Sequence, residues 1–145
     1  MKIYFAGSLF NTAEKNFNSQ LSEILKKSNK AYNIILPQEQ ANEIAGDKDF
    51  ENKVFNYCVK GVIQSDVILA ILDGPDVDSG TCIELGISKA NNKKIVGIRT
   101  DIRGSEFEGL NIMVRKVLDY YIYQPNDKNT IEELAKEINF ILDKI

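Results

Sequence analysis

The 145-residue chain contains no histidine, so it lacks the side chain most often used as a general base near neutral pH. Its two cysteines, Cys58 and Cys82, are too far apart for a CxxC motif and have no histidine companions. This pattern argues against a zinc site, and we expect no metal to be bound. So few cysteines favour a reduced, intracellular protein over a disulfide-linked secreted one.

Long hydrophobic runs and basic stripes are also missing. No segment approaches the roughly 20 apolar residues that a membrane span needs, and the apolar run at the N-terminus is too short for a signal peptide. A net charge of −3 argues against a nucleic-acid polymer as partner. We therefore predict a cytoplasmic protein without a membrane partner, folded as one domain over residues 1–145.

Short apolar runs alternate with longer amphipathic segments, a pattern typical of α/β proteins. Strands are predicted at residues 3–6, 32–36, 67–72, 94–98 and 120–123. Helices are predicted at residues 12–28, 50–64, 79–91, 110–115 and 130–145, with looser segments at 38–48 and 99–108. This order implies a flavodoxin-like, doubly wound parallel sheet, 2-1-3-4-5, in three α/β/α layers. Its ligand crevice lies between strands 1 and 3, so Gly7 is expected beside the segment that follows strand 3.

Carboxylates are concentrated where the third strand gives way to a helix. Residues 70–86 read AILDGPDVDSGTCIELG and include Asp73, Asp78 and Glu84. Asp73 fits a turn and Asp78 fits a helix N-cap, so both also have a structural interpretation. Glu84 is harder to explain structurally, because it lies inside the helix among apolar and small residues. It is either exposed on the outer face or directed at the crevice.

Two carboxyl groups at one site suit glycosyl transfer. One attacks the anomeric carbon through an oxocarbenium-like transition state, while the other manages the proton of the leaving group. Such a double displacement retains configuration and requires no metal or organic cofactor. The acids of the 70–86 segment therefore predict carboxylate chemistry on a neutral or cationic substrate.

The chain resembles the nucleoside 2-deoxyribosyltransferase family over roughly residues 3–115. Six stretches, in the family's order, carry the likeness: YFAGSLF (4–10), SDVILAILDG (65–74), DSGT (78–81), ELG (84–86), GIRTDIR (97–103) and LNIM (110–113). An ordered set of this kind is far more specific than any one short motif. The resemblance implies an enzyme of nucleotide salvage that uses a 2′-deoxynucleoside and a free nucleobase.

The resemblance also implies roles for individual residues. Glu84 is the expected nucleophile, which attacks C1′, expels the base and holds a deoxyribosyl ester until a second base attacks. Asp78 is expected to bind the sugar 5′-hydroxyl and to orient Glu84, and Tyr4 to lie near the nucleophile. Asn111 is expected to reach the 5′-hydroxyl in a neighbouring subunit's site, which implies a homo-oligomer, although it also fits a helix cap. The predicted substrate-binding residues are Tyr4, Gly7, Gln38, Asp73, Gly80 and Asn111.

One position departs from the family pattern. Many relatives carry an aspartate three residues before the glycine of the helix that precedes strand 3, where it meets the base and passes it a proton. Here that position is Cys58, and a thiol is a poor substitute for a carboxylic acid in this task. Gln38 is then a candidate for contacting the base, and Asp73 for supplying the acid.

Two other activities remain open on the same fold. The first is an N-glycosidase acting on 2′-deoxynucleosides or their 5′-monophosphates, although the first loop has no arginine and Asp78 would repel a phosphate. The second is a non-catalytic nucleotide-sensing module, favoured only by Cys58. A dinucleotide-dependent dehydrogenase is disfavoured, because no GxGxxG follows the first strand.

Overall fold

A computed structural model describes residues 1–103, 109–125 and 130–145. Its five strands are β1 (Lys2–Ala6), β2 (Asn33–Ile35), β3 (Val67–Ile71), β4 (Lys94–Arg99) and β5 (Tyr120–Tyr123). Its helices are α1 (Thr12–Ser28), α2 (Pro37–Glu43), α3 (Phe50–Gln64), α4 (Ser79–Ala90), α5 (Ile112–Val117) and α6 (Ile131–Leu142). No helix among these residues is both long and apolar enough to cross a bilayer.

All strands are parallel and follow the order β2-β1-β3-β4-β5, which confirms the predicted topology. The strand order reverses between β1 and β3, so their carboxyl ends flank the switch-point crevice. Tyr4 of β1 pairs with Ile68 of β3, and Ala6 pairs with Ala70. The first loop and the loop after β3 therefore leave the sheet side by side.

Alternation along the strands divides the core between two faces. Ile3 and Phe5 pack on the face covered by α1 and α6. Tyr4 points to the opposite face, where it packs with residues of α3, α4 and α5 such as Val62 and Leu85. Ile3 and Tyr4, which are neighbours in the strand, therefore pack against different helical layers.

Two predicted loops need revision at their start. Residues 38–48 were expected to be irregular, but Pro37 to Glu43 form α2, with proline in the first turn. The fixed φ angle of proline and its missing N–H suit the first turn of a helix, so Pro37 begins α2 two residues after β2 ends at Ile35. The loop predicted from residue 99 begins one residue later, since Arg99 completes β4. Residues 104–108 of that loop lie outside the described part of the chain.

Candidate active site

Glu84 and Tyr4 form the central contact of the site. The Tyr4 hydroxyl donates a hydrogen bond of 2.5 Å to Glu84 Oε1. The tyrosine ring is fully buried, whereas Glu84 is half-buried in the second turn of α4. Of the two orientations that the sequence left open for Glu84, the structure shows the inward one.

The surroundings of Glu84 favour its neutral form more than water would. Burial raises the pKa of the Glu84 carboxyl to about 7, and the nearby charge of Asp78 adds to this rise. The Tyr4 hydroxyl and the Cys58 thiol oppose it by stabilising the carboxylate. At neutral pH the side chain is therefore divided between a nucleophilic carboxylate and a neutral acid.

Tyr4 can act only as a donor in this pair. Burial, together with the negative charge of Glu84, raises the pKa of the Tyr4 hydroxyl well above its usual range. The phenol therefore keeps its proton at any pH the protein meets. Its hydrogen bond fixes one carboxylate oxygen and leaves the other available for chemistry.

Asp78 caps the helix that carries Glu84. Its Oδ2 accepts hydrogen bonds from the backbone N–H of Thr81 at 2.9 Å and from the Thr81 hydroxyl at 3.1 Å. The N-cap expected from the sequence is thus confirmed. A Cβ at Gly80 would lie 3.1 Å from Asp78 Oδ2, so the glycine leaves room for this carboxylate. The capping geometry holds Asp78 close enough to Glu84 to influence its pKa.

An apolar groove of about 400 Å³ opens beside Glu84, between α3 and α4. Its walls are Phe50, Glu51, Val54, Phe55, Cys58, Val59, Gly80, Ile83, Glu84 and Ile87. Cys58 is half-buried there, and burial raises the pKa of its thiol. A flat apolar group placed at Glu84 would find contacts along these walls.

Asp73 is bonded to the loop after β4. Its carboxylate accepts from the Thr100 N–H at 2.6 Å, from the Thr100 hydroxyl at 2.5 Å and from the Asp101 N–H at 3.0 Å. Asp101 in turn accepts from the Gly74 N–H at 3.0 Å. These bonds join the loops after β3 and β4 into one unit. They also occupy the carboxylate that the sequence offered as an acid for the base.

Arg99 is a residue of this region that sequence reasoning missed. It is fully buried, and its guanidinium donates to Leu72 O at 2.5 Å, to Gly74 O at 3.0 Å and to Arg103 O. A Cβ at Gly109 would lie 2.6 Å from the guanidinium, so that glycine gives it space. A charged residue that ends an apolar strand was the available signal. The hydrogen bonds from the Arg99 guanidinium to the carbonyl oxygens of Leu72 and Gly74 hold the loop that leads to Asp78.

Gly7 and Gln38, two of the predicted substrate-binding residues, do not line the groove beside Glu84. A Cβ at Gly7 would lie 3.1 Å from Ile71 Cβ, so the first loop passes tightly over the end of β3. Gln38 is buried and donates to Lys15 O at 3.0 Å and to Ser19 Oγ at 2.8 Å. The glutamine amide thus joins α2 to α1, and the structure does not bring it to Glu84.

Asn111 is exposed and caps α5, with its Oδ1 accepting from the Met113 N–H at 2.8 Å. It lines a hollow of about 390 Å³ together with Asp76, Cys82 and Met113. This hollow is separate from the groove at Glu84, so the structure does not bring Asn111 to the Glu84 of its own chain. In the described ranges, no group of three or more Cys, Asp or Glu side chains is placed to hold a metal ion.

Comparison with known proteins places this chain in a family. The chain matches the family model described as nucleoside 2-deoxyribosyltransferase over residues 3–139. It therefore belongs to the nucleoside 2-deoxyribosyltransferase family, whose members act on nucleosides. A search of the curated proteins gave no match.

Solved structures of similar fold extend over nearly the whole chain. A conserved protein from Enterococcus faecalis V583 is 26% identical with a TM-score of 0.73, covering 97% of this chain and 98% of that one. A 2-deoxyribosyltransferase from Bacillus psychrosaccharolyticus is 22% identical with a TM-score of 0.72, covering 93% and 90%. A CMP N-glycosidase from Clostridium botulinum is 18% identical with a TM-score of 0.63, covering 96% and 99%.

Proposed function

We propose that this protein transfers the 2-deoxyribosyl group between nucleobases through a covalent ester on Glu84. The observation that carries the proposal is the Tyr4 hydroxyl bonded at 2.5 Å to Glu84, at the mouth of an apolar groove. One carboxylate oxygen is fixed by a donor that keeps its proton, and the proposal gives the other oxygen to the substrate. This arrangement suits a nucleophile better than a structural ion pair, because no cation within residues 1–103, 109–125 and 130–145 is paired with Glu84.

The first half-reaction breaks the glycosidic bond. The ionised Glu84 attacks C1′ of a 2′-deoxynucleoside, and the base departs with the electron pair of the C1′–N bond and takes up one proton. In the second half-reaction another base attacks C1′, loses one proton and returns Glu84 to its carboxylate. Two inversions retain the configuration of the sugar, and the chemistry asks for no metal or organic cofactor.

Asp78 and the groove receive the two parts of the substrate in this proposal. Both hydrogen bonds from Thr81 go to Asp78 Oδ2, and the proposal assigns the other oxygen to the sugar 5′-hydroxyl. The base lies along the apolar walls, with Cys58 on the side where relatives carry an acid. The proton that the leaving base takes up then comes from solvent water.

We further propose that the working enzyme is a homo-oligomer in which Asn111 of one subunit completes the site of another. The position of Asn111 supports this, because it is exposed at the start of α5 and separate from its own chain's groove. Neighbouring apolar side chains are exposed as well, with Met113 at 72% and Ile112 at 46%. An apolar surface of this kind suits a subunit contact.

Hydrolysis of a nucleotide is the second candidate function, and it is favoured by the fold shared with the CMP N-glycosidase. A 5′-phosphate would need a cation near Asp78. Arg99 is engaged by backbone carbonyls and Arg103 by the carboxylate of Asp101. The carboxylates of the loop after β3 would repel a phosphate. These charges favour the uncharged 5′-hydroxyl of a nucleoside.

Incubation with deoxyinosine and free adenine distinguishes the candidates. Chromatographic appearance of deoxyadenosine supports the transferase, release of hypoxanthine alone indicates a glycosidase, and binding without turnover indicates a sensing module. Glu84→Gln should abolish either reaction. Glu23→Gln, an exposed change on α1, is the matched control and should keep full activity.

A further inference from the structure

Gly61 of α3 lies directly against the ring of Tyr4. A Cβ added at Gly61 would stand 2.7 Å from Tyr4 Cε2 and 2.8 Å from Cδ2, closer than side chains tolerate. The next neighbour, Ile35 Cγ2, would be at 3.6 Å, an ordinary contact. The edge of the Tyr4 ring therefore occupies the space that a side chain at Gly61 would need.

The Tyr4 ring has no free space into which it could shift. Tyr4 is fully buried on an interior strand of the sheet, since β1 is bonded to β2 on one side and to β3 on the other. A packed interior does not absorb an added methyl group without displacing side chains. A tilt of the ring moves its far end most, and that end carries the hydroxyl bonded to Glu84.

The same helix approaches Tyr4 at a second point. Cys58 lies three residues before Gly61, on the same face of α3, and its thiol interacts with both Tyr4 and Glu84. Gly61 thus sets how closely this helix face approaches the sheet. The closeness of the helix to the sheet in turn sets how near the Cys58 thiol lies to Tyr4 and Glu84.

We propose that Gly61 is a positioning residue, which acts through Tyr4 to hold the hydroxyl on Glu84 in the geometry that the nucleophile needs. The inference rests on the proposed role of Glu84. It assigns to a residue with no side chain the task of holding in place a donor that lies 2.5 Å from Glu84 Oε1.

The test compares Gly61→Ala with Tyr4→Phe and with the double variant. Lys60→Ala puts the same residue one position away on the exposed side of α3 and serves as control. The readouts are kcat and KM for base exchange across pH, and the titration of the Glu84 carboxyl followed by carbon NMR. Glu84→Gln identifies the resonance.

We expect Gly61→Ala to lower kcat by about ten- to a hundredfold with a smaller change in KM, as small displacements at reacting groups do. Loss of the Tyr4 hydrogen bond should also move the Glu84 titration to higher pH, as in Tyr4→Phe. The double variant should shift no further than Tyr4→Phe alone. A Gly61→Ala protein with the wild-type titration and kcat would overturn the proposal, and so would a double variant with fully additive shifts.

Failure to fold is also informative. If Gly61→Ala does not fold, the smaller side chain in Tyr4→Leu/Gly61→Ala should restore the folded circular dichroism spectrum and a cooperative thermal transition. A double variant that stays unfolded would contradict the steric link. The NMR titration needs no turnover, so a shift in Gly61→Ala with no base exchange in the wild type would remove the proposed function and leave the Gly61–Tyr4 link in place.

Discussion

The Tyr4 hydroxyl and Glu84 Oε1 meet at 2.5 Å, although 80 residues separate them in the chain. The contact joins the third residue of β1 to the second turn of α4. Tyr4→Phe removes the donor and keeps the ring, so the core should be unchanged. Because the lost bond lowers the pKa of Glu84, the acid limb of the rate profile should move to higher pH. We expect kcat to fall by about tenfold or more at pH 7.

Steady-state kinetics from pH 5 to 9 measure this change. Tyr32→Phe, whose ring packs on the other face of the sheet with the cluster covered by α1 and α6, is the control and should keep the wild-type profile. An unshifted acid limb in Tyr4→Phe would show that the hydrogen bond does not tune Glu84.

Stability should also depend on the ionisation of Glu84. Its pKa in the folded protein, about 7, lies above the ordinary value of 4.5. The contribution of Glu84 to the free energy of unfolding is therefore fully present below pH 4.5 and is lost as pH rises through 7. Glu84→Gln cannot ionise, so at pH 8.5 it should be more stable than the wild type by on the order of 2 kcal/mol.

Urea unfolding at pH 5 and pH 8.5 tests this expectation. The advantage of Glu84→Gln should be small at pH 5 and larger at pH 8.5. An equal advantage at both values would mean that the carboxyl titrates with an ordinary pKa.

Asp78 has a capping task and a proposed catalytic task, and two substitutions separate them. Asp78→Ser keeps a side-chain acceptor for the Thr81 N–H, whereas Asp78→Ala removes it. We expect Asp78→Ala to lose about 1 kcal/mol of stability and Asp78→Ser to lose little. Both should lose most of the transferase activity, because neither provides a carboxylate to the sugar. Full activity in Asp78→Ser would show that Asp78 serves only as a helix cap.

Mixing two inactive variants tests whether Asn111 completes a neighbouring site. Glu84→Gln and Asn111→Ala should each be nearly inactive alone. A mixed oligomer pairs an intact Glu84 with an intact Asn111 from its partner, so co-refolded protein should regain activity. Mixtures that stay as inactive as their components, or a fully active Asn111→Ala, would contradict a shared site.

The strand order could be predicted from the sequence because the apolar runs and the helical periodicities alternate strictly. The helix at Pro37–Glu43 was missed, since its seven residues are too short to show an amphipathic repeat. Proline was taken to mark the end of β2, and its place in the first turn of α2 was overlooked.

At the site, the sequence indicated Glu84 chiefly because it matches the glutamate of the family's ELG element, and also because a carboxylate within an apolar helix segment has no evident structural role. The partners of each polar group were beyond reach, because they depend on contacts between distant segments. Gln38 and Asp73 were chosen by type and position, but the structure engages one with α1 and the other with Thr100. Gly61 gave no signal as a positioning residue, because its importance comes from a ring that only the fold brings to it.

The central claim is a covalent deoxyribosyl ester on Glu84. A nucleoside with fluorine at C2′ disfavours the oxocarbenium-like transition state and should make the ester long-lived enough for intact-protein mass spectrometry. We predict a mass increase of one fluorodeoxyribosyl group, located by proteolysis to the peptide with Glu84 and absent from Glu84→Gln. Base exchange without any adduct, or an adduct on Asp78 in place of Glu84, would contradict the account.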